Sequence, residues 1–148
     1  MSLKDQVMEQ IKNAMRSKDT VALESLRAIK SELLLLETSG NSAEVSEEQE
    51  IKLLQKLVKQ RKESAETYAA QGRSDLAEPE LAQAQVISAF LPKQLGEEEI
   101  RSVVSRVAHD IGAVSMADMG KLMGAVSKEL AGQADGKTIS SVVKAYLS

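Results

Sequence analysis

Apolar residues recur every three to four positions along nearly the whole chain, and no stretch alternates convincingly between apolar and polar residues. A repeat of about 3.6 residues places the apolar side chains on one face of an α-helix, whereas alternation is typical of a β-strand. The pattern predicts an all-α protein with four helices, a hinge and then three short helices.

Residues 1–92 are predicted to form an N-terminal helical domain. Its first helix should end near Lys18, after which Asp19 or Thr20 can cap the second helix. The second helix carries a wide apolar arc between Leu26 and Leu36. An arc of that width indicates contact with more than one neighbouring helix.

A segment rich in small polar residues, Thr38 to Ser42, predicts a loop. Ser46, followed three residues later by Gln49, is typical of a capping box and should begin a third helix. That helix should run for about 25 residues to Ala70, with Gly72 as a left-handed stop. Two long helices joined by a short loop predict an antiparallel hairpin.

The fourth helix should begin near Asp75, with Glu78 as its capping partner. Pro79 follows the first turn, where it should kink the helix or delay its start. The helix should end before Pro92, because the residue preceding a proline avoids the helical region. Leu91 to Gly96 is the predicted boundary between the two domains.

Residues 93–148 are predicted to form a small three-helix domain. Acidic residues favour a helix N-terminus, Ser and Asp cap helices, and glycine ends them. These signals are Glu97 to Glu99 and Gly112 for the first helix, Ser115, Asp118 and Gly132 for the second, and Asp135 for the third. The second of these helices should run to Ala131.

Composition narrows the class of protein. Aromatic residues make up only 2% of the chain, so aliphatic side chains must fill the interior, as in helical bundles. The absence of cysteine excludes disulfides and thiolate metal sites, and a single histidine, His109, cannot build a histidine metal site. The N-terminus does not look like a signal peptide and Leu33 to Leu36 is too short to span a bilayer, so we expect a cytoplasmic protein without a membrane partner.

Catalytic motifs are not recognisable. The segment from Gly132 to Thr138 resembles a phosphate-binding loop, but only three residues separate its glycines and a helix precedes it. The acidic pairs lie at helix starts, where capping explains them, and His109 lacks an evident orienting partner. We therefore predict no catalytic residue, no metal and no cofactor.

Two sets of basic residues are candidates for binding. The third helix carries a lysine stripe within about a third of its circumference. Nearby glutamates favour a solvated, salt-bridged face over a phosphate site, and Arg61, which points toward the apolar side, favours a structural ion pair over a ligand contact. The lysines of this α3 stripe are Lys52, Lys56, Lys59 and Lys62.

The second set lies in the last domain, where Gly120 and Gly124 share one helical face. Such spacing usually lets a neighbouring helix approach, and packing is the favoured explanation. Exposed glycines would instead leave a flat patch for a sugar–phosphate backbone, with lysines supplying the charge. The candidate nucleic-acid-binding residues are Gly120, Lys121, Gly124, Lys128, Gly136, Lys137 and Lys144.

Several motifs together resemble the GatB/YqeY family over essentially the whole chain. They are Leu26 to Lys30, Lys59 to Lys62, Gly72 to Leu76, Phe90 to Leu95, Asp118 to Gly124, Gly132 to Lys137 and Val142 to Leu147. Two positions depart from the pattern: Pro79 stands where helix formers are usual, and Gln133 where a basic residue is common. The second departure removes a possible phosphate contact.

The resemblance implies that residues from about 94 are similar to the tail domain of the B subunit of tRNA-dependent amidotransferase, a helical module that contacts tRNA. The catalytic domains of that enzyme have no counterpart here. The leading hypothesis is a non-catalytic tRNA-binding accessory module, linked to tRNA-dependent amidation, with no DNA partner. The alternatives are a protein-interaction module that docks on a partner enzyme through the acidic N-terminal half, and a carbon–nitrogen ligase with glutamine as amide donor that acts only within a complex.

Overall fold

A computed structural model describes residues 2–39 and 45–148 of the chain. Within these ranges all regular structure is helical, which confirms the all-α prediction. The chain forms two compact units, Met1–Leu91 and Pro92–Ser148. No helix of the described ranges is long and apolar enough to cross a membrane.

The first unit contains four helices: α1 (Leu3–Ser17), α2 (Thr20–Ser39), α3 (Glu47–Ala70) and α4 (Ser74–Ser88). Helix α3 packs along α4, α1 packs on α2, and α2 contacts both α3 and α4. Helix α2 touches three neighbours, which confirms the predicted contact with more than one helix, although Leu34 and Leu35 at the edge of the apolar arc are exposed. The core is aliphatic, with Val7, Leu26, Ile29, Leu54 and Ile87 nearly inaccessible to solvent.

The capping signals of this unit are mostly confirmed. Ser46 and Gln49 form the predicted capping box. The Asp19 carboxylate accepts a hydrogen bond from the Ala22 N–H, so Asp19 is the cap of α2. Gly72 takes the left-handed conformation after α3, with φ of +71°.

The predicted loop at Thr38 to Ser42 is wrong at its start. Thr38 and Ser39 belong to α2, because the Thr38 hydroxyl donates back to the carbonyls of Leu34 and Leu35 and is satisfied within the helix. Residues 40–42 lie outside the described ranges.

The predicted start of α4 near Asp75 is confirmed to within one residue, but its predicted cap is wrong. The helix begins at Ser74 after Arg73, no side chain caps it, and Glu78 has no capping role. Pro79 lies inside the helix and does not delay its start. Proline removes the hydrogen bond to the carbonyl of Asp75, and since Asp75 is exposed, water can satisfy that carbonyl.

The second unit contains α5 (Glu97–Ile111), a short 3-10 helix (Met116–Asp118), α6 (Met119–Glu129) and α7 (Gly136–Leu147). The three α-helices pack pairwise around an aliphatic core. Its central side chains are Ile100, Val104, Leu122, Val126 and Val143.

The ends of these helices follow the predicted signals with one exception. Gly112 ends α5, and Asp135 caps α7 by accepting from the Thr138 N–H at 2.7 Å. Ser115 and Asp118 form a capping box, although it opens the 3-10 helix that leads into α6. The prediction that α6 runs to Ala131 is wrong: the helix ends at Glu129, because the Gln133 N–H donates to the Leu130 carbonyl and closes a turn there.

Candidate functional site

Helix α6 carries an open glycine face. Gly120 and Gly124 are exposed, and a Cβ atom built on either would meet no atom within 4 Å. Neither has a positive φ, so neither backbone position requires glycine. Among the described residues no helix fills the space over the pair, and the packing explanation of their spacing is wrong for this part of the chain.

These two glycines weaken the helix that contains them. A glycine inside a helix costs about 1 kcal/mol relative to alanine, because the unfolded chain loses more freedom on folding. Internal packing offers no compensation here, since the space over both residues is empty. A flat, solvent-facing strip is therefore maintained at a cost in stability, which is typical of a binding surface.

Two lysines of α6 lie along one edge of the strip formed by Gly120 and Gly124. At 100° per residue, Lys121 and Lys128 lie with Gly120 and Gly124 within an arc of about 100°. Both lysines are exposed, whereas the opposite side of the helix is anchored in the core by Leu122 and Val126. The core anchors thus fix the direction in which the strip and its lysines face.

Helix α7 contributes the other two candidate lysines. Lys137 and Lys144 are seven residues apart, which places them about 20° apart around the helix. Both are exposed, and Ile139, Val142 and Val143 hold the other side of α7 in the core. Gly136 is the first residue of α7 and is also exposed, with open space where a Cβ would be.

The four lysines of the α6–α7 set, Lys121, Lys128, Lys137 and Lys144, lack ion pairs. Within the described ranges, no carboxylate oxygen lies within 4.0 Å of their Nζ atoms. The arginines of the same unit behave differently: Arg101 pairs with Glu97 at 2.8 Å, and Arg106 pairs with Glu129. The positive charge of the lysines is therefore available to an external anion.

Asp118 lies in the 3-10 helix three residues before Lys121, and its carboxylate is already occupied. It accepts hydrogen bonds from the backbone N–H groups of Val114, at 2.9 Å, and Ser115, at 3.3 Å. These two hydrogen bonds lower the pKa of Asp118, and the charge of Lys121 lowers it further by a smaller amount. The Asp118 carboxylate therefore interacts mainly with the backbone of the turn before α6, and its interaction with Lys121 is weaker.

The lysines of the α3 stripe, unlike those of the α6–α7 set, are partly neutralised by ion pairs. Lys52 pairs with Glu48 at 3.3 Å and Lys59 with Glu63 at 4.0 Å, each one helical turn away. Lys56 and Lys62 have no such pair among the described residues. The salt-bridged interpretation therefore holds for half of the stripe.

Among the described residues, Arg61 has no carboxylate partner and does not form the predicted ion pair. Its Nε donates to the Gln83 side chain at 3.1 Å and one terminal nitrogen donates to the Leu57 carbonyl at 3.2 Å. The Gln83 amide in turn donates to Glu24 at 3.0 Å. A neutral amide thus connects the guanidinium on α3 to a carboxylate on α2, and Arg61 has a structural role.

Two glutamines that join the start of the second unit to its α6–α7 loop were not identified from the sequence. Gln94 donates to the Gly132 carbonyl at 2.6 Å, and Gln133 donates to the Lys93 carbonyl at 3.4 Å. The Leu95 N–H also donates to the Gln133 carbonyl at 2.9 Å. Gln133, which stands where the family favours a basic residue, therefore holds the loop instead of offering a charge.

The described residues contain no group of three or more His, Asp or Glu side chains that could hold a metal ion. His109 is exposed in the last turn of α5. A polar hollow of about 580 Å³ runs along α3 between Gln60 and Gln71, and its lining includes Glu63, the partner of Lys59, but no cationic side chain. None of these features assembles a nucleophile with a base.

The chain matches the family model described as Yqey-like protein over residues 4–147, which spans both units. It is similar to a protein of Pyrenophora tritici-repentis (strain Pt-1C-BFP) described as altered inheritance of mitochondria protein 41, mitochondrial. That relative is 30% identical over 138 residues, which cover 90% of this chain and 75% of the relative. A protein with the same description from Clavispora lusitaniae (strain ATCC 42720) is 29% identical over 122 residues, covering 81% of this chain and 69% of that protein.

Proposed function

The chain belongs to the family of YqeY-like proteins, as its motifs predicted, and from that premise we propose that it binds tRNA through α6 and α7 without catalysing a reaction of its own. The observation that supports this function best is the open glycine strip of Gly120 and Gly124 beside lysines that lack ion pairs. A cytoplasmic location is part of the same proposal.

The chemistry of the α6–α7 set suits phosphate groups. Lysine is a flexible, strongly hydrated point charge that binds phosphate without imposing the geometry of an arginine fork. Glycines beside the lysines let a sugar–phosphate backbone come close to the helix, because no side chain stands between them. Contacts of this kind position a nucleic acid without reading its sequence.

The choice of tRNA over other nucleic acids rests on the resemblance of residues from about 94 to the tail domain of the amidotransferase B subunit. The overall charge favours a selective binder, since a net charge of −3 does not attract nucleic acid over the whole surface. Attraction must therefore come from a local set of cations.

A titration with tRNA at several salt concentrations tests the proposal. Four lysines that neutralise four phosphates predict a slope of log K against log salt of about −3 to −4. The measurement needs only the purified full chain and a fluorescently labelled tRNA. Absence of binding at the lowest salt, or binding that salt does not weaken, would contradict the proposed function.

A protein-interaction role is the second candidate, and α1 and α2 carry the observation that favours it. A small cavity of about 240 Å³ is lined by apolar residues that include Met8 and Leu34, with Lys4 and Lys30 at its edge. Leu34 and its neighbour Leu35 are 46% and 59% exposed. Substituting Leu34 and Leu35 by Asn should abolish co-purification of a partner and leave tRNA affinity unchanged if this candidate is correct.

A further inference from the structure

The turn between α5 and α6 presents two apolar side chains to solvent. Val114 is 84% exposed and Met116 is 48% exposed. Neither belongs to the core cluster of the second unit or to the half-buried apolar residues packed against it. Folding therefore gains little from either side chain, and both remain accessible to a ligand.

This turn is held in place from both sides. Before Val114, the buried Ala113 donates its N–H to the Ala108 carbonyl at 2.9 Å. After it, the Asp118 carboxylate accepts from the N–H groups of Val114 and Ser115. Val114 is also β-branched and has few rotamers, so little conformational freedom is lost when it makes a contact.

The turn continues directly into the open face of α6. The 3-10 helix Met116–Asp118 leads into α6 at Met119, so the two apolar side chains lie just before Gly120 and Lys121. The surface thus combines a small apolar tip with cations that lack ion pairs. A ligand that fits it must offer an apolar face beside anionic groups.

Nucleic acid has this combination, because the faces of its bases are apolar and its backbone is anionic. A protein partner fits less well. Two exposed side chains make a small apolar area, whereas a specific protein interface buries about 800 Å² on each partner around an apolar core. The occupant favoured by these observations is therefore RNA.

We propose that Val114 and Met116 contact an unpaired base of the bound RNA, so that the protein prefers RNA with loop nucleotides to a fully paired duplex. This inference rests on the proposed function. In a paired A-form helix the base faces are stacked and inaccessible, whereas loops display bases that apolar side chains can contact. The lysines of α6 and α7 contact phosphates in both kinds of RNA, so the preference for RNA with loop nucleotides comes from Val114 and Met116 in the turn.

A competition between two RNAs tests this preference. One is a hairpin with an unpaired loop, and the other is a fully paired duplex with the same number of phosphates. For the full chain we expect the hairpin to bind about tenfold more tightly, the difference made by one well-buried apolar contact. The double variant Val114→Asn, Met116→Gln should lose this preference and keep its affinity for the duplex.

The double variant Met15→Gln, Leu35→Asn is the matched control, because those side chains are 58% and 59% exposed in the first unit. It should retain the preference for the hairpin. Equal binding of hairpin and duplex by the unaltered protein would overturn the inference, as would an equal loss for both RNAs in the Val114 variant. Either result leaves the proposed function standing if tRNA still binds. Absence of RNA binding at low salt removes both.

A photo-crosslinking amino acid at position 114 gives a second measurement that does not depend on affinity. We expect the crosslink to form with a loop nucleotide of the hairpin and not with its stem. A crosslinker at position 35 should give no RNA product. Crosslinking of position 114 to stem nucleotides, or to a protein in preference to the RNA, would overturn the inference.

Discussion

The α3 stripe and the α6–α7 set both place four lysines on exposed helical faces, but their surroundings differ. On α3, Lys52 and Lys59 face glutamates one turn away, at 3.3 Å and 4.0 Å. In the second unit Glu97 pairs with Arg101, Glu129 pairs with Arg106 and Asp118 accepts from backbone N–H groups, and the four lysines have no carboxylate within 4.0 Å among the described residues. Counting lysines from the sequence therefore says less than locating the carboxylates that neutralise them.

Helices α3 and α6 also differ in how their surface residues affect the stability of the protein. Exposed ion pairs between residues one turn apart contribute about 0.3–0.5 kcal/mol each, so half of the α3 stripe supports its own helix slightly. Arg61 on the same helix joins α2, α3 and α4 through Gln83. On α6, by contrast, Gly120 and Gly124 reduce helix stability without any internal contact in return. The paired cations of α3 therefore support folding, whereas for the surface of α6 we propose a ligand outside the chain.

Reversing charges in the two lysine sets should produce the largest difference between them. Lys121→Glu with Lys137→Glu should weaken tRNA binding by about a hundredfold at low salt, because two phosphate contacts become repulsive. Lys56→Glu with Lys62→Glu makes the same change in net charge on α3, and neither residue has an ion pair to lose. Gel-shift titration measures both affinities.

Circular dichroism must show native helix content in both double variants. An equal loss of affinity in the α3 variant would mean that binding follows net charge alone, and the α6–α7 site would be wrong. An unchanged affinity in the α6–α7 variant, with native helix content, would have the same consequence.

Filling the glycine strip should raise stability while lowering affinity. Gly120→Ala with Gly124→Ala should stabilise the protein by about 1 kcal/mol, mostly from position 124 in the helix interior, since Gly120 lies in the first turn and neither added methyl group meets a steric contact. The added methyl groups hold the sugar–phosphate backbone away from the helix, so tRNA affinity should fall several-fold. Thermal unfolding and salt-dependent titration measure the two effects.

Gly112 provides the matched control for this pair. A Cβ there also meets open space, but its φ of +71° is strained for any residue with a side chain. Gly112→Ala should therefore destabilise the protein by about 1 kcal/mol. If the Gly120 and Gly124 substitutions destabilise the protein as well, the strip has a folding role that contradicts its assignment as a binding surface.

Local signals made much of the fold predictable from the sequence. The capping box of Ser46 and Gln49, the cap at Asp135 and the left-handed stop at Gly72 each involve residues within a few positions of one another. The failures at Thr38 and Pro79 have a common cause. Both residue types disfavour helices on average, but a helix tolerates them where the hydroxyl bonds to the preceding turn or water reaches the freed carbonyl.

The candidate site was predictable in part. Helical spacing placed Gly120 and Gly124 on one face, but only the fold shows that no neighbour covers them. The partner of Arg61 is 22 residues away on α4, and no periodicity connects it to Gln83. The exposure of Val114 was also invisible, because an apolar residue beside a capping signal looks the same whether it faces the core or the solvent.

Asp75 in the first unit and Asp118 in the second both have lowered pKa values, and the difference in how salt changes these two pKa values is the smallest effect that we expect. The guanidinium of Arg73 lowers the pKa of Asp75 in the first unit, whereas backbone N–H groups lower that of Asp118 in the second. A charged partner is screened by salt far more than a hydrogen bond to the backbone. Raising the ionic strength to about 1 M, where the Debye length is roughly 3 Å, should therefore raise the pKa of Asp75 more than that of Asp118, as NMR titration measures.

The sign of the linked stability is the same for both groups. A folded-state pKa below the unfolded value gives stability that is present above the unfolded pKa and is lost as the pH falls through the folded pKa. The Tm difference between the native protein and Asp118→Asn should thus disappear on acidification. Lys121→Ala should change the pKa of Asp118 only slightly, because the lysine contributes less than the two N–H groups. A large change would show that Asp118 neutralises most of the charge of Lys121. Lys121 would then resemble the paired lysines of α3, and the contrast between the α3 stripe and the α6–α7 set would be wrong.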